Sequence, residues 1–419
     1  MAEQTAEIPA IQPIHRLDFF DIRLIFFIAA MIAYGIGSSP TPDAIGGAEI
    51  FTGLSLIIAA GGWKAAHVLF NGPHAAWVRA GQALLLYGLT IPIMTSVIAG
   101  HSPGGTIRDL IAFLFLLLPL FMYGLCVRKQ SYRRPLTAAV AIIGILFSLR
   151  VLSPVFILET GPVWYIQPPA DPFYLANAPT VIFAALILAG MAGKIIYTSP
   201  RLKNFGMAAI FVTLAFFPLA AMALITQRAS MGILALSTLL LTGIAVCRQP
   251  LRAITPVAIL VLMAYAGWDT LHFFSGEAAR KTAAVGLNMR WAEAMAVLND
   301  LASTSLPAVI FGKGWGATIA SPAVGGVTVN FTHSLLTTYW LKTGLIGLLL
   351  ALNYILHIVK NLWQMLFYNP IMALALAGPL TIDILLYASF KSLDFGLVLL
   401  LVPIWSTSTP AVASQSRSL

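Results

Sequence analysis

Long apolar runs recur along the whole chain and are separated by short polar gaps. Most runs are about 17–25 residues long, the length that an α-helix needs to cross the hydrocarbon core of a bilayer. Because the runs are continuous and not alternating, they predict helices and exclude the strands of a membrane barrel. The pattern predicts about twelve transmembrane helices, near residues 20–38, 48–66, 81–99, 107–127, 136–153, 177–197, 205–225, 229–247, 252–268, 333–358, 370–389 and 393–408.

One polar stretch, residues 269–332, is much longer than the other gaps. Apolar residues at helical spacing predict an amphipathic helix over 285–301, with Arg290 and Glu293 on its polar face. The apolar stripe of that helix consists of Leu287, Trp291, Ala294, Leu298 and Leu301. The predicted organisation is a tail at 1–19, nine helices in 20–268, a large loop at 269–332, three helices in 333–408 and a tail at 409–419.

The composition supports a membrane protein and excludes a soluble one. Of 419 residues, 59% are hydrophobic and 9% are charged, whereas soluble domains carry about 25% charged residues. The net charge of +9 is explained by membrane topology and suits an anionic lipid or diphosphate partner, and no nucleic-acid partner is expected. Cys126 and Cys247 are predicted to be free thiols, and the polar first 18 residues lack the apolar region of a cleaved signal peptide.

Lysine and arginine alternate between the gaps, which predicts the orientation. Because basic residues mark the cytoplasmic side, both termini are expected inside and the 269–332 loop outside. In a Gram-negative cell the protein would lie in the inner membrane, with this loop in the periplasm. The basic gaps contain Arg16, Arg23, Lys64, Arg79, Arg128, Lys129, Arg133, Arg134, Lys194, Arg201, Lys203, Arg248, Arg252, Lys360 and Arg417.

Three residues on the predicted outer face could carry chemistry: Arg228, Arg290 and His333. Two converging guanidinium groups would bind a diphosphate through parallel donors, and a histidine titrates near neutral pH and can act as a general base. Each also has an ordinary interpretation. Arg228 could be an interfacial anchor, Arg290 could form a surface ion pair with Glu293, and His333 could cap a helix.

The order and spacing of these residues resemble the O-antigen ligase and polymerase superfamily. His333 and Ser334 are followed, after nine residues, by Gly344-x-x-Gly347, which meets the superfamily's histidine motif in full. Upstream, Gln227-Arg228-Ala229-Ser230 is similar to its Ser-Arg-Gly turn, although Gln227 departs from the serine. The resemblance extends over residues 213–360 and includes Arg290-Trp291, Pro307 and Gly312-x-Gly314-x-Gly316.

The resemblance implies an all-α polytopic integral membrane protein of the GT-C glycosyltransferase kind, with the large periplasmic loop between helices 9 and 10. It implies that Arg228 and Arg290 bind the diphosphate of an undecaprenyl-diphosphate-linked glycan donor and that His333 deprotonates or orients the acceptor hydroxyl. The reaction would invert the anomeric centre and need no cofactor and no metal. Further substrate contacts are expected from Ser334, Lys313, Lys342 and Asp394.

Several functions stay open at this stage. The favoured one is ligation of a finished glycan to the lipid A–core of lipopolysaccharide. A polysaccharide polymerase and a protein O-oligosaccharyltransferase are alternatives within the superfamily. A transporter or flippase of an anionic lipid-linked glycan is an alternative from a different class. It would need ionisable residues within the membrane, for which Asp383 and Lys342 are the main candidates.

Overall fold

The fold is almost entirely helical over the residues that the computed structural model describes, which are 22–38, 46–62, 75–124, 130–158, 171–199, 201–285 and 289–406. Both predicted tails and Cys126 lie outside these ranges. The helices, numbered in chain order, are α1 Ile22–Gly37, α2 Gly47–Ala60, α3 Ala76–Ile98, α4 Pro103–Leu116, α5 Leu118–Phe121, α6 Arg133–Leu158, α7 Asp171–Tyr174, α8 Pro179–Thr198, α9 Leu202–Leu224, α10 Arg228–Arg248, α11 Pro250–Ala266, α12 Trp268–Val285, α13 Arg290–Thr304, α14 Leu306–Phe311, α15 Leu335–Tyr368, α16 Pro370–Leu385 and α17 Leu393–Ser406.

Six helices of the described ranges are long and apolar enough to cross a membrane: α3, α6, α8, α9, α10 and α15. A seventh crossing is formed if α11 and the first part of α12 make one span, bent by 64°. Helices α1, α2, α16 and α17 are apolar but only 14–16 residues long. The prediction of a helical chain with several membrane-length apolar segments is therefore confirmed.

The core of the molecule lies around α8 and α17. Nearly every residue of the first half of α8, and every residue from Leu393 to Ile404 in α17, is buried. Glycines let the neighbours approach closely, since a Cβ on Gly144 would overlap the Thr180 carbonyl of α8. By contrast, α9 and α11 expose large apolar side chains such as Leu202 and Leu251. Such an apolar exterior suits contact with lipid.

The predicted span at 333–358 begins later and is not one continuous helix. Helix α15 starts at Leu335, with Ser334 as its N-cap, so His333 precedes the helix. The helix is interrupted at Gly344, whose φ of 68° lies in the left-handed region and is accessible to glycine at no steric cost. Lys342 lies in the first part of α15, two residues before the interruption.

The Gly312–Gly316 loop packs into this interruption. The amide groups of Lys313 and Gly314 donate to the carbonyl oxygens of Leu341 and Lys342, both at 2.9 Å, and the Tyr87 hydroxyl donates to the Thr343 carbonyl at 2.8 Å. A kink leaves carbonyl groups without helical partners, and these contacts satisfy three of them in sequence. The glycine motif thus joins the 269–332 region to α15.

The 269–332 region contains more regular structure than predicted. Its main amphipathic helix, α13, runs from Arg290 to Thr304 instead of 285–301. An antiparallel pair, β1 Ile319–Ser321 and β2 Val327–Val329, also forms there. The prediction of an all-α chain missed this pair, which β-branched residues favour and which Gly325 and Gly326 permit by adopting positive φ.

Candidate functional site

A carboxylate holds His333 in place. The Glu293 carboxylate of α13 accepts a hydrogen bond from the His333 backbone amide at 2.9 Å, and its two oxygens lie 3.1 and 3.2 Å from the imidazole Nδ1. Because a carboxylate only accepts, Nδ1 carries the proton and Nε2 is left as the basic nitrogen. The side chain of His333 is 27% exposed and that of Glu293 is 1% exposed. The imidazole is therefore fixed on one side and open on the other.

Glu293 is ionised although it is buried. Burial alone would raise the pKa of its carboxyl, but hydrogen bonds from His333 and from the Ser321 hydroxyl of β1 lower it below its usual value. Glu293 thus connects α13, β1 and the start of α15. The alternative of a solvated surface pair between Arg290 and Glu293 does not fit this burial. Glu293 of the predicted polar face is buried together with Leu301 of the predicted apolar stripe, whereas Trp291 of that stripe is 78% exposed.

Arg290 lies on the same face, one helical turn before Glu293. Its guanidinium is half-buried, and burial lowers its pKa, an effect that the nearby Glu293 and Tyr387 oppose. The buried Nε has no hydrogen-bond partner among the described residues. A buried guanidinium donor without a partner is costly unless a ligand or water satisfies it. Arg290 is accordingly placed to bind an anionic ligand.

Tyr387 is influenced by both arginines. Burial raises the pKa of its hydroxyl, and the charges of Arg290 and Arg228 act against this rise. Tyr387 follows the end of α16, and the Ser334 hydroxyl donates to the Ile384 carbonyl in the last turn of that helix at 3.1 Å. The start of α15 and the end of α16 are thereby fixed side by side. We treat Arg228, Arg290, His333 and Ser334 as one candidate cluster.

Arg228 is the first residue of α10 and donates a hydrogen bond to the Thr282 hydroxyl of α12 at 2.6 Å. Two non-glycine residues of the described ranges have positive φ: Thr226 at 50°, two residues before Arg228, and Met289 at 24°, directly before Arg290. Such strained conformations persist only where the surrounding structure enforces them, and they concentrate at functional sites. Chemically, the cluster can bind a phosphate or diphosphate and accept a proton at Nε2.

The other predicted contact residues lie in ion pairs or hydrogen bonds elsewhere. Lys313 pairs with Asp300 at 2.7 Å, and Lys342 forms a fully buried ion pair with Asp109 of α4. The Asp394 carboxylate accepts hydrogen bonds from Tyr34 of α1 at 2.7 Å and from Thr180 of α8 at 2.6 Å. These partners give each side chain a structural function within the fold.

Two residues of the cluster were missed as functional candidates. Glu293 is one turn from Arg290 and could have been recognised as the partner of a histidine, since a carboxylate is a common orienting group for imidazole. Tyr387 had no signal, because it lies inside the predicted apolar span at 370–389.

A scan of the sequence against protein-family models finds no match. A search of curated proteins finds no match either.

Proposed function

We propose that the chain is a membrane-embedded O-antigen ligase. It transfers a glycan from undecaprenyl diphosphate to a hydroxyl of the lipid A–core oligosaccharide, on the periplasmic face of the inner membrane. The proposal includes about twelve spans in a GT-C arrangement, since the shorter apolar helices coincide with predicted spans. One observation carries it: the buried Glu293 carboxylate orients His333, one helical turn from Arg290, whose buried Nε has no hydrogen-bond partner among the described residues.

The reaction follows from the roles of these side chains. His333 Nε2 accepts the proton of the acceptor hydroxyl as the oxygen attacks the anomeric carbon of the donor sugar. The bond between that carbon and the diphosphate oxygen breaks, and the electron pair leaves with undecaprenyl diphosphate. Arg228 and Arg290 stabilise the negative charge that grows on the leaving group. A single displacement of this kind inverts the anomeric centre.

Glu293 and Tyr387 position these groups. The Glu293 carboxylate keeps the proton on Nδ1, which presents Nε2 as the base, and it stabilises the imidazolium that forms in the reaction. Tyr387, which follows the end of α16, can donate to a diphosphate oxygen. The cluster therefore supplies binding, charge stabilisation and proton transfer from the protein's own side chains.

A transporter of an anionic lipid-linked glycan is less well supported. It would couple transport to ionisable groups within the membrane. Of the two candidates for this role, Lys342 is neutralised by Asp109. Asp383 is fully buried, with no hydrogen-bond partner for either carboxylate oxygen in the described ranges. A lone carboxyl of this kind is one requirement of coupling, and the reaction assay distinguishes the two functions.

The test mixes purified protein in nanodiscs with a synthetic undecaprenyl-diphosphate glycan and, in separate tubes, lipid A–core, a second donor or an acceptor peptide. We expect mass analysis to show a glycan on lipid A–core. Arg228→Ala, Arg290→Ala and His333→Ala should each lower the rate by about 10²-fold or more, whereas the exposed Arg252→Ala and His357→Ala serve as matched controls. Product on the second donor alone would indicate a polymerase, and no covalent product in any tube would overturn the proposal.

A further inference from the structure

A second group of cationic side chains surrounds Phe331, two residues before His333. The Lys342 ammonium lies 4.8 Å from the centre of the Phe331 ring, and the Lys391 ammonium lies 4.7 Å from it. The ring also packs edge-on against Phe390, with 6.4 Å between centroids. A small pocket lined by Phe331, Phe390 and Lys342 adjoins the Lys342 side of this ring. The electron-rich face of the Phe331 ring attracts both ammonium groups, although the two carry like charges.

The acidic groups of the described ranges do not balance these charges. Asp109 is the carboxylate within range, and it already accepts from Lys342 and from the Gly316 amide. Arg108, the residue before it, lies within electrostatic range of both lysines. Neither Arg108 nor Lys391 has a hydrogen bond or ion pair to any part of the chain that the structure describes. Two cations are thus left without a neutralising partner.

Lys391 is in an environment that disfavours its charge. Burial lowers the pKa of its ammonium to about 8, and the neighbouring Arg108 contributes to the same effect, as does Lys342, while Asp109 opposes it. The group is still largely protonated at neutral pH. A bound anion would stabilise the ammonium of Lys391, because an opposite charge favours the charged form of a lysine.

The position of this cation group relates it to the acceptor. Phe331 and His333 are two residues apart, which limits the distance between their Cα atoms to about 7 Å. A substrate bound at His333 Nε2 therefore lies near Phe331, whose ring contacts the Lys391 ammonium. The donor diphosphate, by contrast, is assigned to Arg228 and Arg290.

We propose that Arg108 and Lys391 bind a phosphate group of the acceptor and so hold the acceptor hydroxyl beside His333. This inference rests on the proposed ligase function. It assigns the acceptor class, an oligosaccharide that carries phosphate near the hydroxyl that is glycosylated. It also separates two anion sites, one for the donor and one for the acceptor.

The test compares lipid A–core with the same material after enzymatic removal of its core phosphates. Binding to the purified protein in nanodiscs is measured by microscale thermophoresis, and transfer is measured in parallel. We expect the wild-type protein to bind the phosphorylated acceptor about tenfold more tightly. In Lys391→Gln and Arg108→Gln this preference should fall toward one, whereas Lys391→Arg should keep it. Lys360→Gln, at an exposed lysine of α15, is the control.

The outcomes separate this inference from the ligase proposal. Equal binding of both acceptors by the wild-type protein, or an unchanged preference in both variants, overturns the acceptor site even if transfer is seen. Phosphate-dependent binding without any transfer supports the site and contradicts the ligase function. Inorganic phosphate that binds at Lys391 while the phosphorylated acceptor does not would also overturn the inference. Acceptor binding should weaken between pH 7 and 9 in the wild type but not in Lys391→Arg, because arginine stays charged.

Discussion

At the scale of residues, the site depends on how Glu293 is held by His333 and Ser321. His333, Arg228 and Arg290 were predicted as site residues from type, order and spacing, and their roles stay predictions. Glu293 was noted only as a possible surface partner of Arg290, because helical periodicity assigned it to the solvated face. A buried carboxylate breaks that periodicity when hydrogen bonds from His333 and Ser321 compensate its burial. Such compensation depends on residues 28 and 40 positions away, which no local pattern contains.

Glu293→Gln tests the orientation of the imidazole. Loss of the carboxylate removes the preference for the proton on Nδ1, so we expect transfer to fall by about 10²-fold or more while the protein stays folded. Asp300→Asn, at the half-exposed partner of Lys313, is the control. An active Glu293→Gln variant would contradict the positioning role.

The same variant gives a signature in the pH dependence of stability. The pKa of Glu293 is below its usual value in the folded protein, so its ionised form stabilises the fold at neutral pH, and this contribution is lost as the pH falls through the lowered pKa. The difference in thermal unfolding between wild type and Glu293→Gln should therefore be largest near pH 7 and shrink under acid conditions. A difference that is constant with pH would show that the carboxyl is not preferentially ionised.

At the scale of elements, the apolar runs predicted the positions of most helices. They did not predict where a helix is interrupted. The run at 333–358 reads as one span because it is mostly apolar, although Lys342 and Thr343 directly precede Gly344. The interruption at Gly344 packs against a loop some 30 positions upstream, whose Lys313 and Gly314 amides donate to the Leu341 and Lys342 carbonyl oxygens. The β1–β2 pair was missed for a similar reason, since three-residue strands are too short to show alternation. The Gly312–Gly316 loop and the kink at Gly344 pack together, and we call this contact between the 269–332 region and α15 the joint.

Gly344→Ala tests this joint. A Cβ at this position would overlap the Ile310 carbonyl and the Gly312 amide, at a φ that disfavours alanine. We expect a loss of about 1–3 kcal/mol or more in stability, measured by thermal unfolding, together with reduced transfer because α13 and α15 separate. Gly243→Ala in α10 has open space around its Cβ, and alanine there should be neutral or stabilising by up to about 1 kcal/mol. Equal stability of the two variants would contradict the joint.

For the whole molecule, the sequence predicted a helical membrane protein, and the number and direction of its crossings stay predictions. The distribution of lysine and arginine sets the proposed direction of insertion. Six of the described helices are long and apolar enough to cross a membrane, whereas α1, α2, α16 and α17 are apolar but shorter. How deeply these four short helices are buried depends on the helices that pack around them. Hydropathy records the apolar character of a segment and does not record whether lipid or protein surrounds it.

Cysteine labelling tests the direction. In a Cys126→Ser background, exposed Cys247 at the end of α10 should react with a membrane-impermeant maleimide only after the cells are permeabilised. With Cys247 also replaced, Ala302→Cys on the exposed face of α13 should react in intact spheroplasts. The reverse pattern would place the His333 cluster in the cytoplasm and contradict the proposed topology.

The most direct measurement is an experimental structure of the protein with undecaprenyl diphosphate bound in nanodiscs. The account predicts diphosphate density between the guanidinium groups of Arg228 and Arg290, within hydrogen-bond distance of Tyr387, with His333 Nε2 facing the adjoining space. Diphosphate density at a different place, or a cluster that stays without density at saturating lipid while the protein is folded, would contradict it.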